Sequence, residues 1–277
     1  MLFICSLGSG SRGNAVIVGN DNCKILVDCG FTLKNLTTRM LAAGITPYDL
    51  DAIVLTHEHT DHIKGIQELS DKLKLPLYLP ERTYNVLKNK FSTGNKADGV
   101  PLQYASQFTC PTEIELKGIK ITPFRTSHDA VYPVGYAFCD DDSRAVYATD
   151  LGGVTPSVDI AATGADLILI ESNYDFDMLR VGKYPEYLKA RIQGIKGHLS
   201  NTCCAEFVTK LYNSGTKNFI LGHISQQNNL PELAYSATTE ALSKAGATYG
   251  KDYFLQISEQ DQPSKKVYCS YEKNKNS

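Results

Sequence analysis

The 277-residue sequence predicts an α/β fold in which mixed sheets stack on each other with helices on the outside. Three observations predict it. Short apolar runs at hairpin spacing open the chain, β-branched runs then alternate with amphipathic stretches, and no Pro/Gly/Ser-rich linker divides the two regimes. Hairpins followed by β–α units require mixed sheets rather than one purely parallel, doubly wound sheet. We therefore expect one domain spanning residues 1–277.

In chain order, strands are expected at Leu2–Leu7, Ala15–Val18, Lys24–Val27, Ala52–Leu55, Ile119–Thr122, Tyr136–Cys139, Ala145–Ala148, Leu167–Ile170 and Phe219–Leu221, because each is a short run rich in branched or aromatic residues. Helices are expected where apolar residues recur at three- and four-residue spacing: Leu33–Ala43, His62–Leu73, Glu81–Lys88, Pro185–Gly194, Thr202–Asn213 and Leu230–Ala245. Asn89–Pro111 reads as a surface loop and the polar Glu272–Ser277 tail as frayed.

Composition narrows the function. With 42% hydrophobic and 21% charged residues the chain is in the globular range, so disorder and fibrous classes are excluded. Its 28 basic and 30 acidic residues leave a net charge of −2, which excludes a uniformly cationic nucleic-acid coat but not a local basic face. Met1-Leu-Phe-Ile-Cys-Ser-Leu-Gly8 lacks a basic secretory n-region, and no run nears the ~18–20 apolar residues of a membrane span. The eight cysteines form no CxxC pair, so reduced thiols and a cytoplasmic location are expected.

Gly8-Ser-Gly-Ser-Arg-Gly13 matches the GxGxxG dinucleotide pattern, but that fingerprint needs a helix to receive the pyrophosphate. A β-branched run, Asn14-Ala-Val-Ile-Val18, follows instead. The expected structure is a Gly/Ser hairpin, with Ser9, Ser11 and Asn14 as candidates for gripping a terminal phosphate.

Three of only six histidines fall in Thr56-His-Glu-His-Thr-Asp-His62, directly after the apolar strand ending at Leu55. His57 and His59 share a face of an extended segment, while Asp61 and His62 follow as the chain turns into a helix. Imidazoles and a carboxylate at a strand end suit Zn²⁺ or another first-row divalent ion. The THxHxDH motif resembles that of the metallo-β-lactamase superfamily. The further residues that family uses are present in order: His128 after Ile119–Phe124, Asp150 after Ala145–Ala148, and His223 after Phe219–Leu221. The resemblance implies a four-layer αββα sandwich and two divalent metal ions, Zn or Mn, with Fe as a third option. One ion would be held by His57, His59 and His128, the other by Asp61, His62 and His223, with Asp150 bridging.

Finer segments resemble the WalJ/YycJ group of that superfamily. They are Ser6-Leu-Gly-Ser-Gly-Ser-Arg-Gly-Asn14, Glu171-Ser-Asn-Tyr-Asp175, Arg191-Ile-Gln-Gly-Ile-Lys-Gly-His-Leu-Ser-Asn201 and Leu221-Gly-His-Ile-Ser-Gln-Gln-Asn-Asn-Leu-Pro-Glu232. This resemblance implies a 5′-to-3′ DNA exonuclease. The interval between Asp150 and His223 is too short for the inserted cap domain of RNA-processing relatives. His198 precedes an expected helix with Ser200 or Asn201 as its cap, and a basic stretch (Arg180, Lys183, Lys189, Arg191, Lys196) leads up to it. We expect Asp61, Asp150 and His198 to be catalytic, and Lys183, Arg191, Lys196 and Ser200 to join the glycine loop in binding nucleic acid. A small thioester, lactone or phosphodiester hydrolase and a metal-bearing regulatory scaffold are the alternative readings. The oligomeric state is not encoded in any motif.

Overall fold

A computed structural model describes residues 1–92, 104–110 and 112–275. Its first sheet draws on β1 (Phe3–Gly8), β2 (Ala15–Gly19), β3 (Lys24–Val27), β4 (Ala52–Val54), β5 (Leu77–Pro80), β6 (Ala105–Phe108) and, from the far end of the chain, β14 (Val267–Tyr268). The second is built from β7 (Ile114–Leu116), β8 (Ile119–Arg125), β9 (Val134–Cys139), β10 (Arg144–Ala148), β11 (Leu167–Glu171), β12 (Asn218–Gly222) and β13 (Phe254–Ile257). Helices α1 (Leu33–Ala42), α2 (Thr60–Ile63), α3 (Ile66–Leu73) and α4 (Glu81–Ser92) belong to the first half. Helices α5 (Pro156–Ala162), α6 (Phe176–Val181), α7 (Glu186–Gln193), α8 (Asn201–Asn213), α9 (Pro231–Lys244) and α10 (Tyr271–Lys275) belong to the second.

The strand orders are β14-β1-β2-β3-β4-β5-β6 and β13-β12-β11-β10-β9-β8-β7. Each sheet is antiparallel through its hairpins and parallel where helices make the crossovers, as at β3–β4–β5–β6 and β10–β11–β12–β13. Both sheets are therefore mixed, as the sequence predicts.

Strand side chains alternate between two dry layers. On one face Val16, Val18, Ile25, Val27 and Val54 pack on Ile121, Tyr136, Phe138, Leu169 and Ile220 of the other sheet. On the opposite face Ile17, Leu26 and Ile53 meet Leu36, Met40, Ile66 and Leu69 from α1 and α3. The second sheet does the same with Val146, Ile168 and Phe219 under Val158, Phe207, Leu211 and Leu242 from α5, α8 and α9. The result is the αββα sandwich.

Several expectations change. The helix expected over His62–Leu73 is two helices, α2 and α3, broken at Gly65, where a Cβ would meet the Phe31 carbonyl oxygen at 2.3 Å. Asn89–Pro111 is not all loop: α4 runs to Ser92 and β6 occupies Ala105–Phe108, and the remainder, 93–103 and 111, is outside the described residues. Of the tail expected to fray, 272–275 is tied down, since Asn274 in α10 donates to Asn218 Oδ1 at 2.7 Å and to the Tyr268 carbonyl at 2.6 Å, and 276–277 lie outside the described residues. The remaining unexpected elements, such as β5, β7, β13, β14, α5 and α6, are short and owe their shape to the neighbours they pair with. The Gly8–Gly13 segment does connect two strands, β1 and β2, which removes the helix a dinucleotide site would need. Among the described residues no helix is long and apolar enough to cross a membrane.

Gly30 links the fold to the histidine loop. Its N–H donates to the Asn14 carbonyl at 2.9 Å, and the Asn14 N–H donates to the Asp61 carbonyl at 2.8 Å. A Cβ on Gly30 would lie 1.7 Å from the Asp61 carbonyl oxygen. Gly30→Ala should cost about 1–3 kcal/mol, the usual range for overpacking, and should push the loop off β2. Chemical denaturation checks the first effect; an unchanged midpoint would refute the close approach.

Candidate metal centre and active site

Five of the six histidines and Asp150 leave strand ends or the loops that follow them, on the same rim of the sandwich. The loop after β4 supplies His57 and His59, and α2 supplies Asp61 and His62. From the second sheet come His128 after β8, Asp150 after β10 and His223 after β12. Asp28, Asp150 and His223 have φ of 61°, 58° and 52°, left-handed values that non-glycine residues adopt at a cost of ~1–3 kcal/mol each. At each of these positions the chain turns sharply as it leaves its strand.

Hydrogen bonds fix which nitrogen of each imidazole faces inward. Asp28 is fully buried and accepts from the Thr56 N–H at 2.8 Å, the Thr56 hydroxyl at 2.8 Å and His62 Nδ1 at 2.7 Å. His57 Nδ1 lies 2.9 Å from the Thr56 oxygen, whose proton goes to Asp28, so Nδ1 is the donor and Nε2 keeps its lone pair. His128 Nδ1 donates to the Gly197 carbonyl at 3.0 Å, again leaving Nε2 inward. This carboxylate- or carbonyl-backed pattern is how metal-binding histidines are held.

Two groups of donors result. His57, His59 and His128 form the first, their candidate ligand atoms all within 4.8 Å of one another; His59 Nδ1 and His128 Nε2 are 3.3 Å apart. The second gathers on Asp150. Its Oδ2 lies 3.3 Å from both His62 Nε2 and His223 Nδ1, and its Oδ1 is 3.5 Å from His128 Nε2. Asp61 Oδ2 is 3.5 Å from His62 Nε2. Every residue expected to hold metal is thus in the cluster.

The cluster fits a divalent cation. His57 Nε2, Asp150 Oδ2 and His223 Nδ1 are buried without a hydrogen-bond partner, a costly state that a cation would relieve. Charges reinforce this. Burial, followed by the charge of His62, pushes the His57 pKa well below the usual histidine range, so its lone pair is available. Burial also opposes charge on Asp150, but the imidazoles of His223, His62 and His128 outweigh it and hold the carboxylate well below its ordinary pKa. On His223 burial opposes the proton, yet Asp150 overcomes it and raises the pKa to about 9. His62 is likewise held well above its ordinary value against burial, by Asp28, Asp61 and Asp150.

His198 stands beside both groups. Its ring centre is 5.0 Å from that of His128 and 5.2 Å from that of His223. Its Nδ1 is 2.7 Å from Glu171 Oε1, and Glu171, at the end of β11, is fully buried. Glu171 Oε2 accepts from the Leu151 N–H at 2.6 Å, so one carboxylate braces both the residue after Asp150 and the ring of His198. Asp150, Glu171, His198 and His223 also lie within mutual ligand distance.

Sequence reasoning missed Asp28, Thr56 and Glu171. The signal was available, because Asp28 and Glu171 end apolar strands as Asp150 does. It also missed Asp129, whose Oδ1 is 3.4 Å from His128 Nε2 while its Oδ2 pairs with Arg191 at 2.6 Å.

The expected phosphate-gripping residues sit differently. Ser9 and Asn14 are fully buried and turned inward. Asn14 Oδ1 accepts from the Gly10 N–H at 2.8 Å, its Nδ2 lies 3.0 Å from His62 Nε2 and donates to Asp61 Oδ2 at 3.3 Å, and Ser9 Oγ accepts from the His223 N–H at 2.9 Å. They brace the cluster, and of the three loop candidates only Ser11 is exposed. Ser200 caps α8, accepting from the Cys203 N–H at 3.2 Å. Arg191 is tied to Asp129, whereas Lys183 and Lys196 are exposed.

A family model described as "Beta-lactamase superfamily domain" matches residues 24–224. "Exodeoxyribonuclease WalJ" of Streptococcus pneumoniae is 38% identical over 247 residues, covering 89% of this chain and 90% of that protein. "Exodeoxyribonuclease YycJ" of Bacillus anthracis is 34% identical over 262 residues, covering 95% and 97%. Among solved structures, the metallo-β-lactamase-fold protein YhfI from Bacillus subtilis superposes with a TM-score of 0.67 at 16% identity, over 95% of this chain and 98% of that one. With its αββα sandwich, its histidine–aspartate cluster and these matches, the chain belongs to the β-lactamase superfamily and has the metallo-β-lactamase hydrolase fold.

Proposed function

We propose that residues 1–277 act as one hydrolase domain that removes nucleotides from the 5′ end of DNA. His57, His59 and His128 would hold one divalent ion and Asp61, His62 and His223 a second, with Asp150 between them; Zn, Mn or Fe suits these donors. Ions bound there supply Lewis-acid charge and lower the pKa of water from 15.7 toward ~7. The observation that carries the reading is His198, its Nδ1 bonded to buried Glu171 and its ring beside both donor groups. An imidazolium so held, its Nδ1–H on Glu171, can present Nε2–H to a leaving oxygen. The names of the two relatives at 34–38% identity support DNA as the substrate.

In this reading the oxygen of water bonds to phosphorus and the P–O3′ bond breaks. His198 gives its proton to O3′ and recovers one from the water consumed. Asp61, its carboxylate bonded by Asn14 and held below its usual pKa by His62 despite burial, orients the attacking water. Glu171 keeps His198 in the right tautomer and is a positioning residue. Exposed Ser11, Lys183 and Lys196 are the surface contacts for the strand, with Arg191 joining when it exchanges Asp129 for phosphate.

The direct test is a time course on 5′-phosphorylated, end-labelled DNA with protein reloaded with Mn²⁺ or Zn²⁺. Stepwise release of mononucleotides by wild type, with Asp150→Ala inactive and depleted of metal by elemental analysis, is expected. Full activity and full metal content in Asp150→Ala would sink the ligand scheme. His198→Ala should keep its metal yet lose roughly 10²–10⁴-fold in rate, the scale of one acid–base group. Loss of metal from that variant would make His198 a ligand instead.

Metal affinity should also depend on pH with a definite sign. A cation needs the lone pair of His223, which is protonated below about 9 without metal, so binding must expel that proton. Affinity should therefore tighten as pH rises toward about 9. Titration calorimetry at several pH values would show proton release on binding; affinity independent of pH would contradict it.

A further inference from the structure

A cavity of about 570 Å³ opens beside His198, between the 152–156 segment that follows Asp150 and the first turns of α8. We propose that this groove holds the base and sugar of the departing end nucleoside, so that hydrolysis requires an unpaired strand end. The proposal rests on the exonuclease reading above and adds the group that the site recognises.

Size is the first argument. Small-molecule sites span roughly 300–1,000 Å³, so the cavity suits one nucleotide and cannot admit a base-paired end. Chemistry is the second. Leu199, Phe207, Tyr174 and Pro156 contribute to the lining, a surface on which the flat face of a base can stack. Charge is the third. Lys210 is the one lysine or arginine among the lining residues, and Asp159, also in the lining with its oxygens 2.6 and 2.7 Å from Nζ, balances its charge. Glu206 adds a further negative charge, so the groove disfavours phosphate and suits an uncharged base and sugar.

Direction is the fourth argument. Removal from the 5′ end breaks the bond to the 3′-oxygen of the end nucleotide, and His198 is the group that protonates that oxygen. The nucleoside carrying the oxygen must then lie on the His198 side of the phosphate, where the groove begins.

Cys203 lines the groove and is the exposed cysteine, while Cys110 and Cys139 are half-buried and the others buried. Its alkylation by iodoacetamide, followed by peptide mass spectrometry, reports on occupancy without reference to turnover. Millimolar thymidine should slow alkylation severalfold and inorganic phosphate should not. Equal protection by phosphate, or none by thymidine, overturns the proposal even if wild type degrades DNA. Conversely, thymidine protection in a protein that cleaves no DNA would keep the nucleoside groove and discard the exonuclease reading. In a second arm, Cys203→Trp fills the groove from an exposed position. Its kcat/KM on single-stranded oligonucleotide should fall about tenfold further than its kcat/KM on methyl p-nitrophenyl phosphate, the scale of one lost base stack. Unchanged oligonucleotide cleavage by that variant would also overturn it.

Discussion

Asp28 has no exposed surface, yet it accepts hydrogen bonds from the Thr56 N–H, the Thr56 hydroxyl and His62 Nδ1 at 2.7–2.8 Å. A buried carboxylate is costly unless it is hydrogen-bonded, and here both of its oxygens are. Through Thr56 it also sets His57, so one side chain at the end of β3 aims two imidazoles of the next strand's loop. Its left-handed backbone, φ 61°, lets the chain turn out of β3 while the carboxylate stays beneath the loop. Without it, both Nδ1 atoms would lose their orientation and both Nε2 atoms would lose their direction.

The second sheet answers with the same device. Asp150 and His223 leave their strands at φ 58° and 52°, and Glu171 ends the strand that lies between β10 and β12. Three adjacent strand ends, those of β10, β11 and β12, therefore deliver charged or imidazole groups to one point, and each sheet contributes to the cluster. Neither half can move alone. Ser9, from the first sheet's opening hairpin, accepts the His223 N–H, and Asn14 bonds Asp61 while its own carbonyl receives Gly30. The glycine loop thus acts as a clamp between sheets. Side chains pack closely on its backbone: a Cβ at Gly8, Gly10 or Gly13 would lie 2.5–2.6 Å from atoms of Arg39, Gln260 and Phe31 respectively.

Much of this was legible in the sequence because charged residues after apolar strands are rare and conspicuous. The THxHxDH segment, His128, Asp150 and His223 carried that signal, and the alternation of hairpins with β–α units gave the mixed sheets. Asp28 and Glu171 carried it too, but a lone carboxylate has no spacing to read, and its partners, Thr56 and His198, are distant in sequence. Ser9 and Asn14 misled for a related reason. Gly/Ser/Asn loops offer donors in any context, and only packing decides whether those donors face solvent or the interior. Short elements such as α2, β7 and β14 were illegible because their shape comes from neighbours rather than from their own periodicity.

The basic stretch before His198 shows how charge counting along a chain differs from charge in space. Arg180 pairs with Asp177 at 3.0 Å, Lys189 with Glu186 at 3.0 Å, and Arg191 with Asp129, the residue after His128, at 2.6 Å. Exposed pairs of this kind are each worth ~0–1 kcal/mol, so a phosphate can displace the carboxylate at little cost. Arg191 differs from the others in position, because its partner is the neighbour of His128. An anion that drew Arg191 away would free Asp129 beside the first donor group, so charge at the end of α7 and the charge balance of the cluster are linked through one ion pair. The tie is also structural: the Ile195 carbonyl accepts from Ser127, and the Gly197 carbonyl fixes His128. The segment that carries the cations is therefore the same one that orients a cluster histidine and positions His198.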